Sequence, residues 1–462
     1  MKTITKKLPN KHILAAGFIA AAFTAAPTLA KVSPEEASKI GTTLTAVGAE
    51  KAGNADGTIP AYTGGLTQTP ACHKSGSTFL CNPYPDDKPL FTITADNYQK
   101  YKDKLAAGHI ALFERYKTFK MPVYQTRRSA AVPEMVHTET KSNATSTTLA
   151  DNGNGLKNFQ SWGVPFPIPQ DGLETIWNHI VRHRGTAVKR LAGQATPQPN
   201  GSFNIVLFEE EIAFRRSLSD MSPGEDDNLL FYFKQQVKSP PRLAGNVLLV
   251  HETIDQVKEP RKAWIYNAGQ RRVRRAPQVA YDGPGTASDG LRTSDNFDLY
   301  NGSPDRYDWK LVGKKEIYIP YNSFKLDEKG VKYTDIIKPN HLNPELTRYE
   351  LHRVWVVEAT LKSGTRHIYN ARTFYIDEDT WQAGVIDLYD GRGNLWRVQE
   401  AHAVQYYNAK VPWYAVETVY DLQNGRYLAL GLENEESRGV VFGIETSKVD
   451  WKPQALRRAG RR

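Results

Sequence analysis

Only two cysteines, Cys72 and Cys81, occur in 462 residues. A thiolate metal cluster is thereby excluded, and a bridge between the two would leave no free thiol nucleophile. Beyond residue 26 no apolar stretch approaches the roughly 18 residues that span a bilayer as a helix. The mean hydropathy of −0.54 likewise excludes a polytopic membrane protein. No G-x-x-x-x-G-K-[ST] phosphate loop is present. Gly153-Asn154-Gly155 lacks the third glycine and the strand–helix setting of a dinucleotide site. Gly285 to Gly290 carries one residue too many before Ser288 for a nucleophile elbow, and no strand leads into it. His179 and His183 stand four apart, but Ile180 occupies the place where a zincin has its glutamate. They read as partly packed histidines, and no metal or other cofactor is expected. Asp377-Glu378-Asp379 falls at a predicted hairpin turn, where such residues serve backbone geometry.

The N-terminus is informative. Lys2, Lys6, Lys7 and Lys11 precede an apolar run from Ile13 to Ala26, and Thr28 and Ala30 supply small residues before Lys31. This pattern predicts a cleaved signal peptide over 1–30 and a periplasmic location, possible peripheral contact with the outer membrane included. Its removal takes four lysines and no acid, so the net charge falls from +10 to +6. Export and this mild charge argue against nucleic acid as a partner. In an oxidising compartment Cys72 and Cys81 are expected to form one disulfide around a small loop.

Ser33-Pro34-Glu35-Glu36 carries the signature of a capping box. Residues 48–92 and 138–158 have coil and linker composition, with a helical stripe of Tyr98, Tyr101 and Leu105 between them. Leu173, Ile176, Trp177, Ile180 and Val181 follow the spacing of an amphipathic helix. From Phe203 the texture changes to β-branched and aromatic segments with short turns: 203–216, 228–237, 245–254, 261–267, 270–276, 351–361, 366–377, 381–389, 394–404, 413–422 and 427–432. Short connections imply antiparallel pairing. The expected organisation is a 31–160 N-terminal extension with helices and the cysteine loop, a β domain over 161–450, and a basic tail at 451–462. The fold class is α+β, a large antiparallel sheet with a few helices packed on it.

"WIYNAGQRRVRRAP", from Trp264 to Pro277, places four arginines in five positions. A turn centred on Ala268-Gly269 sets Tyr266 opposite Arg271, Trp264 opposite Val273 and Lys262 opposite Arg275. Arg272 and Arg274 then fall on the other face. The arginines read either as solvated edge protection or as a polar rim beside an apolar cavity lined by Trp264. Aromatic residues make up 11% of the chain, with 9 Trp, 23 Tyr and 17 Phe. They form an ordinary core, or the lining of a curved sheet that holds an apolar ligand. On the second reading the candidate ligand-binding residues are Trp264, Tyr266, Val273, Arg271, Arg275, Trp355, Phe374, Trp381 and Trp396. No catalytic residue is assigned.

"LTAVGAEKAGNADGTIPAYTGG" (Leu44–Gly65) and "FKMPVYQTRR" (Phe119–Arg128) resemble the family called domain of unknown function 1329. "WIYNAGQRRVRRAP", the segment Gly290–Glu316 and "ARTFYIDEDTWQAGVIDLYDGRGNL" are similar to stretches of outer-membrane lipoprotein-sorting proteins. The resemblance implies an unclosed barrel wrapped round helices, of the periplasmic lipoprotein-carrier type, with a cavity for acyl chains. It also implies association with a resistance-nodulation-division type exporter and an outer-membrane protein. Asn267 departs from the sorting pattern, and 31–160 has no counterpart in a carrier. The expected function is a non-catalytic carrier of lipid or another hydrophobic molecule in transport toward, or assembly of, the outer membrane. Its rivals are a hydrolase or lyase acting on envelope glycan, and an assembly subunit that binds only protein.

Overall fold

The computed structural model describes residues 32–276 and 279–460. The expected signal peptide lies outside them. In chain order the strands are β1 (Phe91–Thr94), β2 (Lys120–Val123), β3 (Thr148–Ala150), β4 (Gly155–Lys157), β5 (Ala187–Ala195) and β6 (Ile205–Phe214). There follow β7 (Leu229–Ser239), β8 (Val247–Thr253), β9 (Lys262–Asn267), β10 (Arg272–Arg275), β11 (Tyr307–Pro320) and β12 (Tyr349–Leu361). The last are β13 (Ala371–Asp377), β14 (Ala383–Tyr389), β15 (Leu395–Tyr406), β16 (Val411–Asp421), β17 (Tyr427–Leu432) and β18 (Val441–Phe442). Apart from the hairpin β3–β4, these strands make one sheet of 16.

Its main path runs β11-β12-β13-β14-β15-β16-β17-β5-β6-β7-β8-β9-β10, antiparallel throughout. The hairpin β1–β2 joins at the end of β12 through a single parallel pairing, Tyr349 with Val123. Among the described residues β10 pairs only with β9 and β11 only with β12, so the sheet is not closed. Residues 276–306 connect these two free edges.

The longer helices are α2 (Ala107–Arg115), α3 (Glu134–Ser146) and α4 (Gly172–Val181); α1 (Pro34–Ala37) is one turn with the expected capping box. Asp171 caps α4 by accepting from the Glu174 N–H. Gly172 lets the first turn lie on the β11 backbone, since a Cβ there would stand 2.8 Å from the carbonyl carbon of Lys310. Thr175 to Val181 are all buried, so α4 is surrounded and not merely laid on the sheet. Its apolar stripe packs against β11 and β12 in the main core.

The strands expected from alternation are present, and seven others, β1 to β5, β11 and β18, were not anticipated. β5, "AVKRLAGQA", is rich in Ala and Gly and has weak strand character of its own; pairing with β6 and β17 makes it a strand. β11 begins within the segment Gly290–Glu316, where no strand was expected, and its alternation is broken by a bulge between Leu311 and Gly313. Residues 138–158 are also not linker. α3 is polar in sequence, yet Glu139, Thr140 and Asn143 are buried because they bond the backbone of 160–164. Glu139 accepts from Trp162 N–H at 2.8 Å and Thr140 from Val164 N–H at 2.9 Å. The segment before residue 160 enters the same core as the sheet, through Ile93, Leu112, Met121 and Val136.

Cys72 and Cys81 are bonded, with Cα atoms 6.0 Å apart. The loop is short, so Cys72→Ser should lower stability by up to about 2.7 kcal/mol while the fold persists; chemical denaturation measures this. Ile180 is 4% exposed within the stripe of α4. Ile180→Asp buries a carboxylate without a partner and should destabilise by at least about 3 kcal/mol. An unchanged melting temperature would show that the stripe does not hold the helix in the sheet.

Candidate ligand cleft

Alternate residues of β6–β9 face the inside of the unclosed sheet. Among them are Glu210, Phe231, Phe233, Gln235, Leu248, Val250 and Glu252. The segment 279–297 lies across this face and brings Val279, Arg292 and Phe297 against it. Phe297 packs its ring 5.1 Å from Phe233 and 5.9 Å from Phe231. A cleft with a volume of about 90 Å³ remains between sheet and segment. That is smaller than the roughly 300 Å³ at which ordinary ligand pockets begin. Beyond Phe231, a second cavity of about 460 Å³ is lined by Phe214, Leu229, Leu230, Ile254, Trp162 and His183, among others.

Arg261 holds the covering segment in place. It donates to the Val279 and Asn301 carbonyls, each at 2.7 Å, and pairs with Glu252 at 2.7 Å. Burial still pushes the Glu252 carboxyl up, against the pull of Arg261. On the neighbouring strands Arg190 donates to Glu210 at 2.7 Å, and Gln235 donates to the other oxygen of Glu210 at 2.7 Å. Each carboxylate of the cleft is therefore committed to a guanidinium. Arg292 differs. It is 8% exposed, yet its side chain makes no hydrogen bond or ion pair among the described residues.

The far end of the covering segment is anchored by charge. Asp298 accepts from Arg182 at 2.5 Å and from Arg184 at 2.6 Å. Arg182 also donates to Gln382. Although burial opposes it, the two guanidiniums hold the Asp298 carboxyl down at about 2. Arg184 lies 5.2 Å from the centre of the Phe214 ring and 5.4 Å from that of Phe231, between the two cavities. His179 and His183 are packed, as expected. Burial lowers His179 to about 3 and His183 to about 4, so both are neutral at physiological pH.

The nine residues expected to bind ligand are dispersed, and none lines either cavity. Trp264, Tyr266 and Val273 face the other side of the sheet. There they meet Trp451 and Leu456 of the C-terminal segment, so Trp264, expected to line a cavity, lies away from the two described above. The turn centres one residue later than expected, which pairs Trp264 with Arg275 and Tyr266 with Val273. A shift of two in register keeps each residue on its face. Arg271 sits in the turn at φ +55°, and Arg275 is exposed on the Trp264 side. Arg272 and Arg274, expected to be remote, are on the cleft side of the strand, with Arg274 opposite Ile265. None of the four makes a side-chain hydrogen bond or ion pair among the described residues, consistent with edge protection.

Trp381 is buried, stacked 6.1 Å from Trp355, and donates to the Val47 carbonyl at 2.9 Å. Phe374 packs edge-on against Tyr300 in the core. Trp396 donates to Asp421 at 3.1 Å under the guanidinium of Arg397. These aromatics are structural in position because covering segments, not strand alternation, decide which face meets a cavity.

Asp377-Glu378-Asp379 is likewise more than turn geometry. Arg128 donates to both oxygens of Asp379 at 2.6 and 2.8 Å, and Glu378 pairs with Lys314 at 2.7 Å and Arg353 at 3.2 Å. His352, Asp377 and Asp379 are spaced to share a metal ion, but Asp379 is already taken by Arg128. The complementary runs "TRR" and "DED" were the available signal in the sequence.

Glu417, on β16, is buried near Asp298 and Arg292, and its Oε1 has no hydrogen-bond partner. Burial, reinforced by Asp298, pushes its carboxyl up to about 8. A raised folded-state value means that its contribution is intact below about 4.5 and is lost as pH rises toward 8. Glu417→Gln removes that loss. The melting temperature of the variant relative to the parent should climb steadily between pH 4.5 and 8. A constant difference would show that Glu417 keeps the same charge across the range.

Residues 92–457 match the family Protein of unknown function (DUF1329). The uncharacterised protein PA3922 of Pseudomonas aeruginosa is 63% identical over 452 residues, which cover 98% of this chain and 99% of that one. A solved domain described as an outer membrane lipoprotein-sorting protein, from Vibrio parahaemolyticus, is 14% identical and covers 62% of this chain and 98% of its own, with a TM-score of 0.42. A DUF1329 family protein of Desulfovibrio piger is 15% identical, covers 59% and 92%, and has a TM-score of 0.41. A LolA superfamily protein of Nitrosomonas europaea is 10% identical, covers 59% and 93%, and has a TM-score of 0.35. None of these three structures transfers a residue role.

Proposed function

We propose that this protein, which belongs to the DUF1329 family, binds a hydrophobic molecule in the cleft between β6–β9 and segment 279–297, without catalysing a reaction. The observation that supports this reading is the wall of Phe231, Phe233, Leu248, Val250 and Phe297 on the inner face of a sheet that does not close. Burying hydrocarbon against such a wall gains about 25 cal/mol per Å² before ordering costs are subtracted. A cleft of about 90 Å³ accepts one slender hydrocarbon segment and no fused-ring body. A longer chain would continue past Leu248 toward Ile265, which is 43% exposed on the same face, or displace the covering segment. Glu210 and Glu252 are each bound to an arginine, which leaves neither as a free acid or base for glycan hydrolysis. The location we propose is the periplasm, and the role is carriage of lipid or a similar molecule toward the outer membrane. No helix among the described residues is long and apolar enough to cross a membrane.

Organic extracts of natively purified protein, read by mass spectrometry, should contain a molecule with a hydrocarbon chain. Leu248→Trp fills the cleft and should weaken binding of a radiolabelled fatty alcohol by about tenfold or more. Trp264→Ala, on the opposite face, should bind like the parent. If Leu248→Trp binds unchanged, or Trp264→Ala suffers the larger loss, the site is elsewhere.

A further inference from the structure

We infer that the molecule taken by the cleft is an anionic amphiphile, and that Arg292 receives its carboxylate or phosphate group. This rests on the reading of the cleft as a hydrophobic-ligand site and names the chemistry of that ligand. The four charged residues lining the cleft, Glu210, Glu252, Arg261 and Arg292, sum to zero but are not all paired off with one another. Arg261 is matched by Glu252, and the Glu210 carboxylate is matched by Arg190 behind it. Among the described residues Arg292 has no such partner, although it is buried and borders the same cleft as Phe233 and Phe297. A guanidinium that borders an apolar cleft and meets no acceptor among the described residues is free to donate charge-assisted hydrogen bonds to an anionic ligand oxygen.

The group is placed by its surroundings. The backbone on both sides of it is fixed: Gly285 N–H donates to the Arg292 carbonyl at 2.8 Å, and Ser288 Oγ donates to the same oxygen at 3.3 Å. A Cβ at position 285 would come within 3.0 Å of Arg292 Nε, so glycine there leaves room for the side chain. Glu417 is the acid that senses Arg292 electrostatically, but no ion pair joins them. The guanidinium is thus held at the polar edge of an apolar wall, where an acyl chain would bring its head group.

The test compares three radiolabelled probes matched in chain length on the purified full chain: a fatty acid, the corresponding lysophosphatidic acid, and the corresponding fatty alcohol. The parent should prefer at least one of the acids over the alcohol by about tenfold or more. Whichever acid binds more tightly tells a carboxylate site from a phosphate site. Arg292→Gln should abolish that preference and leave alcohol binding unchanged, and Arg292→Lys should restore part of it. Equal affinity of the parent for all three probes overturns the inference while the hydrophobic cleft stands. So does a loss by Arg292→Gln that is equal for acid and alcohol, because it would make Arg292 a support of the covering segment. If the parent binds none of the probes, the cleft itself is not a site for such ligands, and both readings fall.

Discussion

Asp298 between Arg182 and Arg184 is the interaction on which the arrangement of the cleft depends. It ties the residues just after α4 to the segment that crosses the open side of the sheet, and Gln382 adds the β13–β14 turn to the same knot. All three charged groups are nearly inaccessible to water, so removal of one would leave the others uncompensated in a medium that solvates charge poorly. A buried ion group of this kind is a weak source of net stability compared with a well-packed apolar one. Its effect is positional: the carboxylate satisfies both guanidiniums in one geometry only. The segment 279–297 therefore has a fixed end at Asp298 and a fixed flank at Arg261, with the cleft between.

The same device recurs through the interior. Arg128 with Asp379, Arg190 with Glu210, Arg372 with Asp295 and Arg397 with Asp421 are all buried pairs at 2.6–3.0 Å. Arg372 also lies over the rings of Tyr300, Tyr307 and Tyr369, so its charge is met by a carboxylate and by aromatic faces. The aromatic richness of the chain is thus spent largely on packing around arginine and on core contacts. Against that background, a buried arginine without a carboxylate stands out. Its position at an apolar wall connects the electrostatics of the interior with the ligand proposed for the cleft.

The unclosed sheet also has an outer side, where Tyr232, Trp264 and Tyr266 would be exposed without the C-terminal segment. Trp451 stacks on Tyr232 at 5.7 Å, its carbonyl bonds His251 at 2.8 Å, and Gly460 lies directly on the Tyr266 ring. One stretch of chain covers the outside of β7–β10 and another covers the inside. The two coverings differ in what they enclose: the inner one leaves a cleft walled by Phe231, Phe233 and Phe297, and the outer one leaves an open pocket lined largely by charged residues such as Glu211, Lys234 and Arg458.

Local sequence determined the positions of most strands, the capping box of α1, the striped helix α4 and the cysteine pair, because alternation, capping and close spacing act over a few residues. The unclosed sheet was legible only through resemblance to a family. Tertiary structure alone decided that β5 and β11 are strands, since their pairing partners, not their own side chains, supply the driving force. It alone decided that polar α3 is a helix, through bonds from Glu139 and Thr140 to a later loop. The site was less legible than the fold. Strand periodicity correctly divided Trp264 and Tyr266 from Ile265, but it cannot say on which face a covering segment will leave an apolar cleft. That depends on segments some 15 residues after the hairpin and nearly 200 residues away at the C-terminus, and on ion pairs such as Arg184 with Asp298, 114 residues apart in sequence. Such contacts form only when the chain has folded, and they carry no periodic signal along it.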